Sequence, residues 1–345
     1  MSLALRRLAL LCLGLFSFVL ALELLKRGAG GLVPLLRGLS VAGLAGGVGF
    51  GWLFACLLLA GSPVAAIALA LLAGGTLVSE EAFGMIVGSR LGGSFVVLVI
   101  GALDDMRARR VEKRSAYVGV TALVATAAVY VPAGFVGLLG LRAGWLADMR
   151  IDGREIDSLL RLVFAPLAGL LAASLHPLLL FVAGVLILLG AFRIFDALLP
   201  DLRGRESPLL HLGEVLYRPW FLFALGLGVT ALTLSVSVSI SLLVPLAARG
   251  YVRRENLCPY ILGANVTTLV DTLFAGALVG HPDGARIVAL LMACVAAVSL
   301  PVVLLFPYAF ARAVDRVAVR ATRDARSLRV FTALVLAIPA LLLAW

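Results

Sequence analysis

The chain has 345 residues, 62% of them hydrophobic and only 14% charged. That is more apolar side chain than a soluble domain of this length can bury, which excludes an ordinary globular protein. The formal net charge is +10, but most of the Arg falls in short connections between apolar runs, so the basic balance reads as topology signals and not as a nucleic-acid surface.

Apolar runs near 8–25, 41–72, 84–101, 116–138, 157–175, 177–199, 219–247, 258–280, 286–310 and 327–344 predict about ten membrane spans. The first run follows Arg6 and Arg7 as a signal peptide would. No convincing small-x-small cleavage site leads into a soluble domain, so the run reads as a retained helix. The runs 41–72 and 219–247 are too long for one straight crossing. Each has a Ser- or Gly-bearing break, which predicts half-helices or re-entrant pieces. Cys12, Cys56, Cys258 and Cys294 lie in or beside apolar runs without metal-ligand spacing, and read as packed thiols.

The list divides into five and five, at residues 1–175 and 176–345, with no soluble domain. The first spans of the two halves end alike, at Leu22-Glu-Leu-Leu25 and Phe195-Asp-Ala-Leu-Leu199. The third spans share a Gly-led entry, Gly88-Ser-Arg-Leu-Gly-Gly-Ser94 and Gly263-Ala-Asn-Val-Thr-Thr268. The offsets, 173 and 175 residues, nearly agree, as a duplicated unit requires. Matched loops carry opposite charge: Asp104–Arg114 is basic where its partner at 280–286 holds one Arg, and the Glu80-Glu81 loop is acidic where Arg249–Arg254 is basic. Opposite bias predicts two repeats threaded in opposite directions, with the Arg-rich loops inside. The expected fold is therefore an all-α polytopic membrane protein of two inverted repeats. One point conflicts: a count of unbroken spans puts Arg6 and Arg7 outside, unless the first half contains a re-entrant piece.

The candidate chemistry sits at the matched breaks. Asn265, Thr268 and Thr272 fall on one helix face, with Asp271 flanking it and Thr267 beside it. A carboxylate at membrane depth costs about 2.5–3.5 kcal/mol on insertion scales, so Asp271 is expected to face protein or water. It could take a cation or carry a proton, or be held by neighbouring hydroxyls or an Arg. Ser235 and Ser237 alternate with Val, which suits an unwound piece able to cradle an anion, or small residues allowing tight packing. Arg90 stands at the first-half position of Asn265. It could grip phosphate, pair with Asp271, or snorkel to an interface. Three scattered His and no clustered carboxylates give no catalytic set, so an enzyme is not expected.

The stretch Gly263-Ala-Asn-Val-Thr-Thr-Leu-Val-Asp271 resembles the Gly-Ala-Asn-Ile-Gly-Thr-Thr-Val-Thr motif of the sodium/phosphate cotransporter family. That family has two inverted repeats, each with a Gln-Ser-Ser-Ser motif ahead of this one. Here the second-half counterpart is Thr230-Ala-Leu-Thr-Leu-Ser-Val-Ser237, and in the first half only Ser62 of Leu59-Ala-Gly-Ser62 survives. The chain departs from the pattern with Leu at both Gln positions, Arg90 for Asn, Gly93 for Thr and Asp271 for Thr. The resemblance implies a secondary transporter of the cytoplasmic membrane for inorganic phosphate or a related anion. Ser62, Arg90, Ser235 and Ser237 would hold the anion, and Asn265, Thr267, Thr268 and Asp271 a coupling sodium, with no other cofactor. The lipid bilayer and the anion are the expected partners, nucleic acid is not, and a homodimer stays open. The lost Gln and Ser residues motivate an alternative: a non-transporting membrane scaffold or partner protein that kept the fold.

Overall fold

The computed structural model describes residues 3–39, 41–107, 114–149, 154–198, 218–233, 239–240 and 254–344. Among them every regular element is helical. Seven helical stretches are long and apolar enough to cross a membrane, so the chain is an all-α multi-pass membrane protein. Seven is fewer than the ten apolar runs. The described apolar helices Gly43–Leu58, Ser62–Ala73, Val163–Ser174 and Pro219–Thr233 are too short to count. The four cysteines are free; Cys56, Cys258 and Cys294 are buried, and Cys12 is exposed.

The first helix, α1 (Leu3–Gly28), leads through a 3₁₀ turn at Ala29–Leu32 into the short α2 (Val33–Gly38). It packs on α9 (Pro177–Leu198). Gly28 lies against Pro177 and Phe181, Gly31 against Leu178, and Gly14 against Ile194 and Phe195, so the two helices run antiparallel. Glycine at these contacts lets the backbones touch, which is how apolar helices associate without a hydrophobic drive in lipid. On the other side of α1, Leu24 packs with Ala168 of α8 (Arg154–Ser174).

The run 41–72 is not one span. It forms α3 (Gly43–Leu58) and α4 (Ser62–Ala73), about 24 and 18 Å long, each shorter than the ~30 Å hydrocarbon layer. Between them Leu59 takes a left-handed conformation, φ 52°. After α4 the chain turns at Gly75 (φ 70°) and starts α5 (Ser79–Gly93). Glu81 ties this junction together. One carboxylate oxygen accepts the Val78 amide at 3.0 Å and the other accepts the Gly43 amide at 3.3 Å. The entrance of α3 and the exit of α4 therefore lie at the same end of the bundle, and α3–α4 is a re-entrant hairpin with its tip at Leu59–Ser62. Its return arm is protein-enclosed, with Pro63 through Leu72 all buried.

From Ser79 the chain crosses through α5 and, after a break at Ser94, α6 (Phe95–Arg107). Asp105 accepts the amides of Ser115 (3.1 Å) and Ala116 (2.8 Å) and so starts the return helix α7 (Arg114–Arg142). In the second half the described helices are α10 (Pro219–Thr233), α11 (Arg254–Thr267), a break at Thr268–Leu269, then α12 (Val270–Leu278) and α13 (Pro282–Leu305).

Glycine contacts show how closely the plans agree. Gly88 abuts the Val48 carbonyl and Trp52 amide, and Gly263, 175 residues on, abuts Phe223 and Leu227, also 175 on. Gly51 abuts the Met85 carbonyl, and Gly226 abuts Tyr260, again at the same offset. The Ser94 break and the break at Leu269 share it too. A side chain at any of these four glycines would enter its neighbour's backbone.

The two ends of the bundle differ. At one end Glu80 pairs with Arg142, at 2.7 Å, and the Ser79 hydroxyl donates to Asp283 at 2.6 Å. At the other end the Tyr117 hydroxyl donates to Asp315 of the amphipathic α14 (Pro307–Thr322) at 2.6 Å. Helix α5 starts at the Glu80 end, whereas α11 starts at the Tyr117 end, where Cys258 feels the Asp315 charge. Helix α1 has Lys26 and Arg27 in its last turn, beside Gly74 and the Glu80 end. Arg6 and Arg7, far along the same helix, thus point to the Tyr117 end. The α3–α4 hairpin returns the chain to the end it left, whereas the sequence count took 41–72 as a crossing. The chain ends in α15 (Ala325–Leu343), capped by Asp324 accepting the Ser327 amide at 2.7 Å and packed through Pro339 against Gly49.

Candidate functional site

Arg90 lies eleven residues into α5, about 16 Å from its start. Every residue from Ala82 to Gly93 is buried, and Arg90 itself is 3% exposed. It therefore does not snorkel, and its guanidinium must be satisfied inside the protein. The partners come from the two breaks. Nη1 donates to Ser62 Oγ at the hairpin tip (3.2 Å), to the Thr268 carbonyl (3.2 Å) and to Thr268 Oγ1 (3.0 Å). Nη2 donates to Thr272 Oγ1 and lies 3.6 Å from Asp271 Oδ1. The Thr272 hydroxyl in turn donates to Asp271 Oδ1 at 2.9 Å.

Asp271 reaches this position because α11 stops at Thr267. The Thr268–Leu269 turn frees backbone groups, and α12 restarts with Asp271 in its first turn, where a carboxylate is favoured by the helix N-terminus. The left-handed Leu59 aims the first turn of α4, and with it Ser62, at the same spot. A strained non-glycine residue at a hairpin tip persists only where the surroundings hold it. Gly61 is wedged against the Ser89 carbonyl and Gly93.

Two polar atoms of the pair stay open: Arg90 Nε and Asp271 Oδ2 are buried and make no hydrogen bond among the described residues. The Ser62 hydroxyl lies near the Asp271 carboxyl as well, without closing a bond to Oδ2.

A second polar cluster is continuous with the first. The Ser94 hydroxyl donates to the Arg90 carbonyl (3.3 Å) and lies 3.2 Å from Thr126 Oγ1, which accepts from Asn265 Nδ2 (3.1 Å). The Tyr130 hydroxyl donates to the Asn265 carbonyl at 2.7 Å. Asn265 and Arg90, matched in sequence, thus lie in one connected network.

Of the residues singled out by sequence, Ser62, Arg90, Thr268 and Asp271 come together, and Asn265 joins through Thr126. Thr267 faces elsewhere: its hydroxyl donates to the Leu227 carbonyl of α10 at 3.0 Å. Ser235 and Ser237 lie outside the described residues. Nearby, Ser239 is buried and bonded to Thr230 and Tyr260, at 2.7 and 2.8 Å. Thr126 and Tyr130 were missed. Their signal is two polar groups four apart on one face of α7, a spacing that Tyr117 and Thr121 share.

Chemically the site offers a buried guanidinium, three hydroxyls from two chain segments and a helix N-terminus at the hairpin tip, set against one carboxylate. In this arrangement the carboxylate of Asp271 is the anion that faces the guanidinium. Comparison with family models, curated proteins and solved structures finds no match.

Proposed function

We propose that the chain is a secondary transporter of a small oxyanion, inorganic phosphate being the first to test, in the cytoplasmic membrane. The single observation that carries this is Arg90. A fully enclosed guanidinium at mid-depth, held by the tip of a re-entrant hairpin and by a broken helix, is the arrangement in which transporters place substrate.

On this reading residues 1–175 and 176–345 are two inverted repeats. The shared glycine contacts at one offset support it, as does the antiparallel packing of the matched helices α1 and α9. So does the opposite starting end of α5 and α11. The Tyr117 end, with the Arg-rich loop after α6 and the Arg312, Arg316 and Arg320 stripe of α14, is cytoplasmic. An anion would bind between the first turn of α4 and the Arg90 fork. Ser62 and the Val64 amide of that turn would supply further donors. Motion of one hairpin against the α1–α9 scaffold would then open the site to either side.

The test is phosphate or sulfate uptake by the purified chain in liposomes, with Arg90→Lys beside it. Lysine keeps the charge but loses the planar fork, so uptake should fall at least about tenfold, the loss of one good hydrogen-bonded contact. Absence of flux for every oxyanion tried would sink the reading. The same outcome would favour a non-transporting scaffold, whose support is that Asp271 already pairs with the guanidinium.

A further inference from the structure

The open atoms at the site are unevenly distributed over the molecule. Of the five buried polar side-chain atoms without a hydrogen bond among the described residues, two belong to the same ion pair, and the other three are on Trp52, Thr121 and Ser299. An ion pair built for stability would close those positions, because a buried charge with unused hydrogen-bonding capacity is expensive. The contact between Arg90 and Asp271 is also long, at 3.6 Å. Charge-assisted N–H···O bonds run near 2.7–2.9 Å. The guanidinium is thus held mainly by neutral oxygens, and the carboxylate is held more closely by the Thr272 hydroxyl than by the charge it faces.

The same oxygens bear on which ion can couple to transport. The Ser62 hydroxyl, the Thr268 carbonyl and hydroxyl, the Thr272 hydroxyl and the Asp271 carboxylate are a set of hard donors of the kind an alkali cation takes. Here the Arg90 nitrogens already occupy that set. A second cation would meet both a filled shell and a fixed positive charge. The group left that can change its charge is Asp271. Arg90 of α5 is the charge that faces it, and Tyr130 of α7 is the other titratable side chain within electrostatic reach. Helix α4 carries no titratable residue. Helix α13 carries its charges, Asp283 and Arg286, in its first turn, and otherwise only Cys294.

We propose that Asp271 carries the coupling proton, and that substrate and proton bind together because they exchange partners at Arg90. The proposal rests on the transporter reading above. An incoming dihydrogen phosphate takes Arg90 Nη2 and Nε as a bidentate pair. The Asp271 carboxylate loses its counter-ion in a dry site and accepts a proton from the side open to water, becoming a neutral acid. No covalent bond to the anion forms. On the other side the anion leaves, the acid gives up its proton, and the ion pair closes again. Each cycle moves one monovalent anion and one proton, so the loaded carrier has the same net charge as the empty one.

The experiment is uptake of radiolabelled phosphate into liposomes that contain the full chain and a trapped pH dye, in sodium-free buffer, with an inward proton gradient. Dihydrogen phosphate should accumulate about tenfold for each pH unit, the equilibrium limit for one proton per monovalent anion, and total label by at least that much. The dye should report proton entry with phosphate, and a potassium-diffusion potential should leave the uptake unchanged. Asp271→Asn should lose both the pH-driven accumulation and the proton entry that accompanies phosphate. Should that variant fail to fold, the proton-to-phosphate ratio of the unaltered chain decides by itself. Flux that follows a sodium gradient and ignores pH overturns the proposal while leaving the transporter reading intact. So does accumulation that persists in a folded Asp271→Asn. No flux of any oxyanion under any gradient overturns both.

Discussion

Positions 90 and 265 occupy the same place in two similarly built helix pairs. Both lie about 16 Å from the start of their helix, two residues beyond a glycine sunk into the neighbouring helix. One is Arg and draws the hydroxyls and carboxylate of the opposite half onto itself. The other is Asn and is satisfied by Thr126, with its carbonyl taken by Tyr130. The backbone frames are alike while the charged chemistry sits on one side only. Backbone-to-backbone contact tolerates no added atom, whereas a polar side chain can be exchanged if its hydrogen bonds are replaced.

The sharpest way to break the comparison is at the charge. Arg90→Asn would make the two positions identical and leave Asp271 buried without a partner. That should destabilise by about 3–5 kcal/mol, and adding Asp271→Asn should recover most of it, by thermal unfolding in detergent. A single variant as stable as the unaltered chain would mean that the pair is not formed.

Next come the glycines. Gly88→Ala and Gly263→Ala place a methyl into backbone that cannot yield, and each should destabilise by about 1–3 kcal/mol or prevent folding. The effects should match between halves. Gly228→Ala, facing open space in α10, is the control and should be neutral or better. A smaller loss, about 1 kcal/mol, is expected for Tyr130→Phe, which leaves the Asn265 carbonyl short of a donor, whereas the matched Arg90 carbonyl is served by Ser94.

The smallest effect tests the Glu80 end. Burial holds the His281 imidazole below its usual range; Asp283 opposes this and Lys26 adds to it. Its ring nitrogen accepts the Asp283 amide at 3.1 Å. As pH falls through about 6.5, the unfolded chain takes up a proton that the folded chain resists, so stability declines toward acid. His281→Gln should flatten that slope by a few tenths of a kcal/mol between about pH 7.5 and 5.5. It also separates this end from Asp271 in any pH profile of transport.

The all-helical membrane class was legible from apolar run length, and the break in 41–72 from a run too long to cross once. The direction of the returning arm was not. It depends on Glu81 binding both Val78 and Gly43, a contact that no periodicity encodes. Arg90, Thr268 and Asp271 were legible as charged or hydroxyl groups where lipid would exclude them. Thr126 and Tyr130 were harder to see, because single hydroxyls in an apolar helix often bond within their own turn. Thr267 shows the limit of reading by motif. One residue from Thr268, it points to a different helix because a helical step turns by 100°.

One consequence of the re-entrant return arm concerns the lipid. Since α4 is enclosed by protein along almost its whole length, it has no acyl chains to match, and hydrophobic mismatch falls on the long outer helices instead. A change in lipid chain length would then tilt the periphery of the molecule while the interior arm kept its depth. The sensitivity of this protein to membrane thickness should therefore be decided by its outer wall.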